Sequence, residues 1–120
     1  MTKVDLVRNT IGLDGSGLAQ ALKNTVPPSQ IDGLMIGAPI LERNPPHSGE
    51  IHPDGDEIII LVSGRLSVKL ELPGGDQTIE LSKSGEACIV RKGTWHQVFL
   101  DQESQVVHIT PGPNGSARFL

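Results

Sequence analysis

The sequence predicts an all-β chain folded as one domain, and three observations predict it. Short apolar runs recur along most of the 120 residues. Glycine (14) and proline (9) are plentiful and fall between those runs, the punctuation of an antiparallel barrel or sandwich. Several runs alternate apolar and polar residues with the period of two that a half-buried strand requires. The length suits a single domain, and 37% hydrophobic residues supply a core for it.

Taken in order, residues 1–32 read as an N-terminal arm. Within it, 16–23 (SGLAQALK) has the composition of a short helix, closed by Pro27-Pro28, which cannot continue one. Residues 33–111 read as the barrel. Its strands are 34–41, 49–52, 57–63, 65–72, 78–81, 86–91, 96–100 and 105–110. Turn chemistry separates them at Asn44-Pro45-Pro46, Pro53-Asp54-Gly55, Pro73-Gly74-Gly75, Lys83-Ser84-Gly85 and Pro111-Gly112-Pro113. Pro73-Gly74-Gly75 suggests a hairpin loop. Residues 112–120 read as a tail, with Phe119-Leu120 able to tuck against the body.

Parity refines two strands. Leu66, Val68, Leu70 and Leu72 share one face, and Arg65, Ser67, Lys69 and Glu71 share a wet one. The run 58–62 is apolar on both faces, so both should be covered. One face fills the barrel. The other calls for the second sheet, the arm or a partner subunit, and a homodimer is the expectation.

Composition narrows the function classes. The net charge of −4 and the scattered basic residues argue against a nucleic-acid partner. A single cysteine, Cys88, excludes an internal disulfide and a thiolate-rich zinc site, and its apolar neighbours give it a packing role. The first ten residues carry no continuous apolar stretch of a secretory signal, and 58–62 is far too short to span a bilayer. A cytoplasmic setting without membrane contact is therefore expected. Gly-rich phosphate loops, G-x-S-x-G and H-E-x-x-H are all absent.

The chemistry gathers in two segments, 47–57 (HSGEIHPDGDE) and 85–96 (GEACIVRKGTWH). Glu50 and His52 are two apart and share a face on a strand. Glu57 follows a tight Pro-Asp-Gly turn, and a hairpin there brings it near His52. His96 begins another strand after a Lys-Gly-Thr-Trp corner. Two imidazoles with one or two carboxylates make a site of borderline hardness that suits Fe(II), Mn(II), Ni(II) or Zn(II). Three protein ligands leave positions open for water, oxygen or substrate.

These segments resemble the cupin superfamily, and in particular its small single-barrel members. The first cupin motif, G-x5-H-x-H-x3–4-E-x6-G, is matched in its second half by His52, Glu57 and Gly64. The second, G-x5-P-x-G-x2-H-x3-N, is matched by Gly85, Gly93 and His96. The sequence departs at Asn44, Glu50, Arg91 and Leu100, where the motifs carry Gly, His, Pro and Asn. The resemblance covers most of the chain and implies a double-stranded β-helix, or jelly-roll barrel. It also implies one divalent metal ion on His52, Glu57 and His96, with Glu50 as a further ligand or a general base. Glu in place of His makes the site more anionic and tilts it toward Mn(II) or Fe(II).

The remaining histidines, His47 and His108, are candidates for the pocket, with Ile59, Leu61, Val98 and Leu100 as an aliphatic lining. Trp95 and Phe99 have the opposite parity to His96 and Val98 and belong off the metal face. Aromatic residues make up 2% of the chain and tyrosine is absent, so sugar recognition by stacking is disfavoured. A small, fairly apolar ligand carrying one or two oxygens fits better. The resemblance implies a metal-dependent enzyme of dioxygenase, isomerase or decarboxylase type, the dioxygenase first. The alternative is a non-catalytic module that binds a metal or a small ligand.

Overall fold

The structure is a computed structural model that describes residues 2–25 and 29–119. Among these, every regular element is a strand. The larger sheet contains β1 (Asn9–Asp14), β2 (Ala19–Lys23), β3 (Gly33–Gly37), β4 (Ile40–Leu41), β6 (Glu57–Ser63), β9 (Ala87–Val90) and β11 (Ser104–Gly112). The smaller contains β5 (Glu50–Ile51), β7 (Leu66–Leu70), β8 (Gln77–Leu81), β10 (His96–Leu100) and β12 (Ser116–Ala117). Their orders are β2-β1-β3-β11-β6-β9, with β4 beside β11, and β12-β5-β10-β7-β8. All pairings are antiparallel.

The two sheets bury one core between them. Ile59, Leu61, Val90, Cys88 and Val106 come from the larger sheet, and Leu66, Val68, Leu70 and Leu81 from the smaller. The expected alternation of β7 holds for Leu66, Val68 and Leu70, all 6% exposed or less. Leu72 lies beyond the strand, which ends at Leu70, and is 38% exposed where the chain enters the turn at Pro73-Gly74-Gly75. That turn is a hairpin between β7 and β8. On β6, Ile59 and Leu61 face inward, while Ile58 and Ile60 are half-buried and Val62 is exposed on the outer face.

Two expectations are corrected. Residues 16–23 form no helix: 19–23 are β2, paired with β1 from Leu13↔Ala19 to Asn9↔Lys23. Eight residues are too few to hold a helix in water unless tertiary packing helps. The turn is fixed instead by Asp14, whose carboxylate accepts from Ser16 N, Ser16 Oγ and Leu18 N at 2.9, 2.6 and 3.0 Å. The Pro27-Pro28 stop lies outside the described residues. The second correction concerns Pro53-Asp54-Gly55, which closes no hairpin. β5 pairs with β10 and β12, and β6 with β9 and β11, so this turn carries the chain from one sheet to the other.

The segment after β11 runs back across the smaller sheet. β12 pairs with β5 through Ser116↔Ile51 and Ala117↔Glu50. Arg118 fixes this end: its guanidinium lies 4.4 Å from the Trp95 ring centroid and pairs with Glu71. Phe119 is 72% exposed but meets His47 edge-on at 6.4 Å between ring centroids. Leu120 lies outside the described residues.

Candidate metal centre

Each sheet contributes part of the site. Glu50 on β5 lies directly opposite His96 on β10. His52 follows β5, where its carbonyl accepts from Gly93 N at 3.0 Å. Glu57 opens β6 on the facing sheet. The sheet-to-sheet crossing at 53–56 thus makes the four side chains converge, where a hairpin would have left them along one edge. Glu50, His52, Glu57 and His96 each offer a donor atom within 4.8 Å of the others. His52, Glu57 and His96 are buried, and Glu50 is half-buried.

The hydrogen bonds fix how each group faces. Thr94 O can only accept, so His96 Nδ1 donates to it at 3.1 Å, which turns Nε2 toward Glu57 Oε1 at 2.9 Å. Thr110 Oγ1 donates to Glu57 Oε2 at 2.6 Å. Gly49 N donates to His47 Nδ1 at 3.3 Å, so His47 Nε2 is the protonated nitrogen and meets Glu50 Oε1 at 2.6 Å. His52 differs from the other three. Its Nδ1 and Nε2 are both buried without a hydrogen-bond partner. Nε2 stands 3.4 Å from Glu50 Oε2 and 3.5 Å from Glu57 Oε2, within ion-pair range but aligned with neither.

Charge follows from this packing. Burial alone would raise the Glu57 carboxyl, but His52 and His96 outweigh it and hold the group well below the usual carboxylate range. Glu50 is likewise opposed by burial and by Glu57, yet His52 and His47 bring it below its ordinary value. Burial lowers His52, and the two carboxylates more than reverse this, lifting it to about 9. His96 is raised in the same way, chiefly by Glu57 working against burial. In the metal-free protein, protons on these imidazoles balance the two carboxylates. A cation would take over that balancing role. The donor set, and a buried His52 Nε2 that makes no hydrogen bond, both fit one divalent ion.

The cluster opens on a cavity of about 550 Å³. Met35, Pro39, Leu41, Ile59, Val98 and Val106 supply apolar walls, and His47 and His108 also line it. Of the expected aliphatic lining, Ile59 and Val98 are there. Leu61 is sealed in the core, and Leu100 packs against that core without reaching the cavity. Trp95 and Phe99 stay off the cavity. The sequence reading missed the polar mouth formed by Asn9, Thr10, Asn24 and Gln30 of the N-terminal region. It also missed Thr94 and Thr110, which orient the ligand candidates. Parity with His108 was the available signal for Thr110; Thr94 left none. Arg91 and Asp56 pair at 3.0 Å, outside the cavity. Asp56 and Asp54 also accept from Lys92 N and Asn114 N, which braces the turn beneath His52.

No family model matches the sequence, and no curated protein matches it. Solved structures do. A cupin-2 domain containing protein from Shewanella frigidimarina is 24% identical over 70% of this chain and 76% of its own, with a TM-score of 0.55. A cupin superfamily protein from Desulfitobacterium hafniense is 17% identical over 72% of this chain and 73% of its own, with a TM-score of 0.56. Oxalate decarboxylase from Bacillus subtilis, with its Mn(II) centers, is 16% identical over 78% of this chain at a TM-score of 0.58. The matched part is 25% of the decarboxylase. Two antiparallel sheets around an inward-facing His/Glu cluster, together with these likenesses, identify the architecture: the chain has the cupin fold.

Proposed function

We propose that the chain is a metal-dependent enzyme that holds one divalent ion, Mn(II) or Fe(II), on Glu50, His52, Glu57 and His96 and acts on a small oxygen-bearing molecule in the cavity. The observation that carries this reading is His52, whose buried Nε2 makes no hydrogen bond yet stands 3.4 Å from Glu50 and 3.5 Å from Glu57. Buried polar atoms of that kind rarely go unused. A bound ion of this type supplies Lewis acidity to a ligand oxygen, and Fe(II) or Mn(II) adds redox capacity. The protein's own part is positional. Thr94 and Thr110 hold His96 and Glu57, and His47 holds Glu50. The aliphatic walls exclude water from the reacting end and accept an apolar body.

The Mn(II) centers of the decarboxylase likeness support a hard ion here. The test is turnover by protein loaded with Mn(II) or with Fe(II) under anaerobic conditions. It is screened on diketones, diols and hydroxy acids, with oxygen uptake and product both followed. Turnover with one ion supports the enzyme. Stoichiometric metal with ligand binding and no turnover across the screen replaces it with the binding module.

We further propose that the outer face of the larger sheet meets a second copy of the chain. Ile11, Ile36, Ile109, Ile58 and Ile89 lie opposite one another in a single row across five strands, with no charge among them. Ile89 is 50% exposed. A two-fold axis sets such a row against itself.

A further inference from the structure

His108 lines the cavity but takes no part in the four-residue cluster, and its hydrogen bonds fix its chemical form. Thr110 has one hydroxyl hydrogen, and it goes to Glu57 Oε2 at 2.6 Å. Thr110 Oγ1 therefore accepts at its other contact, so the ring nitrogen 2.8 Å away, His108 Nδ1, is the one that carries a proton. Burial holds the imidazole below its ordinary pKa, against the pull of Glu57 and Glu50, so the ring is neutral near pH 7. Nε2 is then an unprotonated acceptor, and it has no hydrogen-bond partner among the described residues.

Unlike the ring nitrogens of His52, this nitrogen is not sealed from the cavity, which His108 lines. Gly37 pairs with His108 across β3 and β11. A Cβ on Gly37 would stand 2.6 Å from Nε2 and 3.2 Å from Thr10 Cγ2. That is a steric clash, so only glycine at position 37 lets the His108 ring lie against β3 with its edge on the cavity that both residues line. The chain Glu57, Thr110, His108 thus runs from the cation cluster to a bare acceptor on the wall of the same cavity.

We propose that His108 Nε2 is a specificity-determining acceptor. It takes a hydrogen bond from a ligand hydroxyl while another oxygen of the same molecule faces the Glu50, His52, Glu57 and His96 cluster. The substrate class is then a hydroxy acid or hydroxy ketone with a short aliphatic body, suited to the walls of Met35, Ile59, Val98 and Val106. This rests on the metal-site reading for the second oxygen; the tautomer of His108 stands without it.

The experiment has two arms. In the metal-free protein, long-range ¹H–¹⁵N spectra of the imidazoles read the tautomer directly. An Nδ1-protonated neutral ring is expected for His108, and an Nε2-protonated ring overturns the proposal. In the Mn(II)-loaded protein, calorimetry compares 2-hydroxy-4-methylpentanoate with its 2-methoxy analogue, which keeps the carboxylate and lacks the donor. The hydroxy form is expected to bind about tenfold tighter. His108→Phe is expected to abolish that preference with metal content unchanged. His108→Gln, which returns an acceptor near the Nε2 position, restores part of it. Gly37→Ala, whose Cβ would displace the ring from its place, is expected to weaken it. Equal binding of the two probes, binding of neither, or a preference that survives His108→Phe overturns the proposal. Failure of the metal reading shows separately, as wild-type protein that takes up no Mn(II).

Discussion

At His52, burial and charge pull in opposite directions, and the outcome sets two pH dependences. In the metal-free protein its pKa is about 9, against an ordinary 6.5. A raised imidazole stabilises the fold fully below 6.5, and that stabilisation is lost as pH rises through about 9. Glu50 and Glu57 are depressed, so their contribution is present above the ordinary 4.5 and is lost as pH falls through their lowered values. The melting temperature of chelated protein is therefore expected to fall between pH 6.5 and 9. Metal affinity runs the other way, since the ion displaces the His52 proton. It is expected to rise up to about tenfold per pH unit toward pH 9, read by titration in buffers of matched ionic strength. Affinity that is flat over this range contradicts histidine ligation. The sequence alone gives a window near 6.5, because it shows the histidine and not the two carboxylates around it. Glu50→His tests the departure from the cupin motif at that position. It removes one negative charge and adds an imidazole, so it is expected to keep the ion and shift preference from Mn(II) toward Zn(II) in competition assays.

The strands are where the sequence was most readable. Alternation placed β7, whose side chains face a dry core on one side, and a continuous apolar run placed β6, demands written directly in the residue order. β2 was misread because Ala, Leu, Gln and Lys suit a helix when alone, and only its partner β1 makes it a strand. The crossing at 53–56 was misread because a Pro-Asp-Gly turn does not say which sheet receives the chain. Gly64 offers a test at this scale. Its φ is +91°, and a Cβ there would collide with Ser104 Oγ and Glu103 O. Gly64→Ala is expected to destabilise by about 1–3 kcal/mol in denaturant unfolding. Leu66→Ala, in the fully buried core, is expected to lose about 2–5 kcal/mol.

For the whole molecule, the barrel divides its labour between two parts. One part packs solid around Leu61 and Leu81, and the rest holds the cluster and the cavity, with Leu66 on the floor between them. The proposed dimer uses the outer face, away from both. Sedimentation velocity is expected to show a dimer for the wild type and a monomer for Ile89→Lys, with metal content equal in the two. A wild type that remains monomeric at high concentration contradicts the proposed interface. The cluster itself was legible because cupin spacing marks His52, Glu57 and His96, while Thr110 reaches Glu57 across strands far apart in sequence, and Thr94 and His47 brace near neighbours through loop geometry that spacing does not reveal. Among the described residues no helix is long and apolar enough to cross a membrane.

The most direct measurement is the metal content of purified protein by inductively coupled plasma mass spectrometry, for the wild type, His52→Ala and His96→Ala, with folding checked by circular dichroism. One divalent ion per wild-type chain and loss of most of it from each folded variant is the expected result. Wild-type stoichiometry retained in both variants, or a wild type that binds no divalent ion when supplied with Mn(II) or Fe(II), contradicts the account.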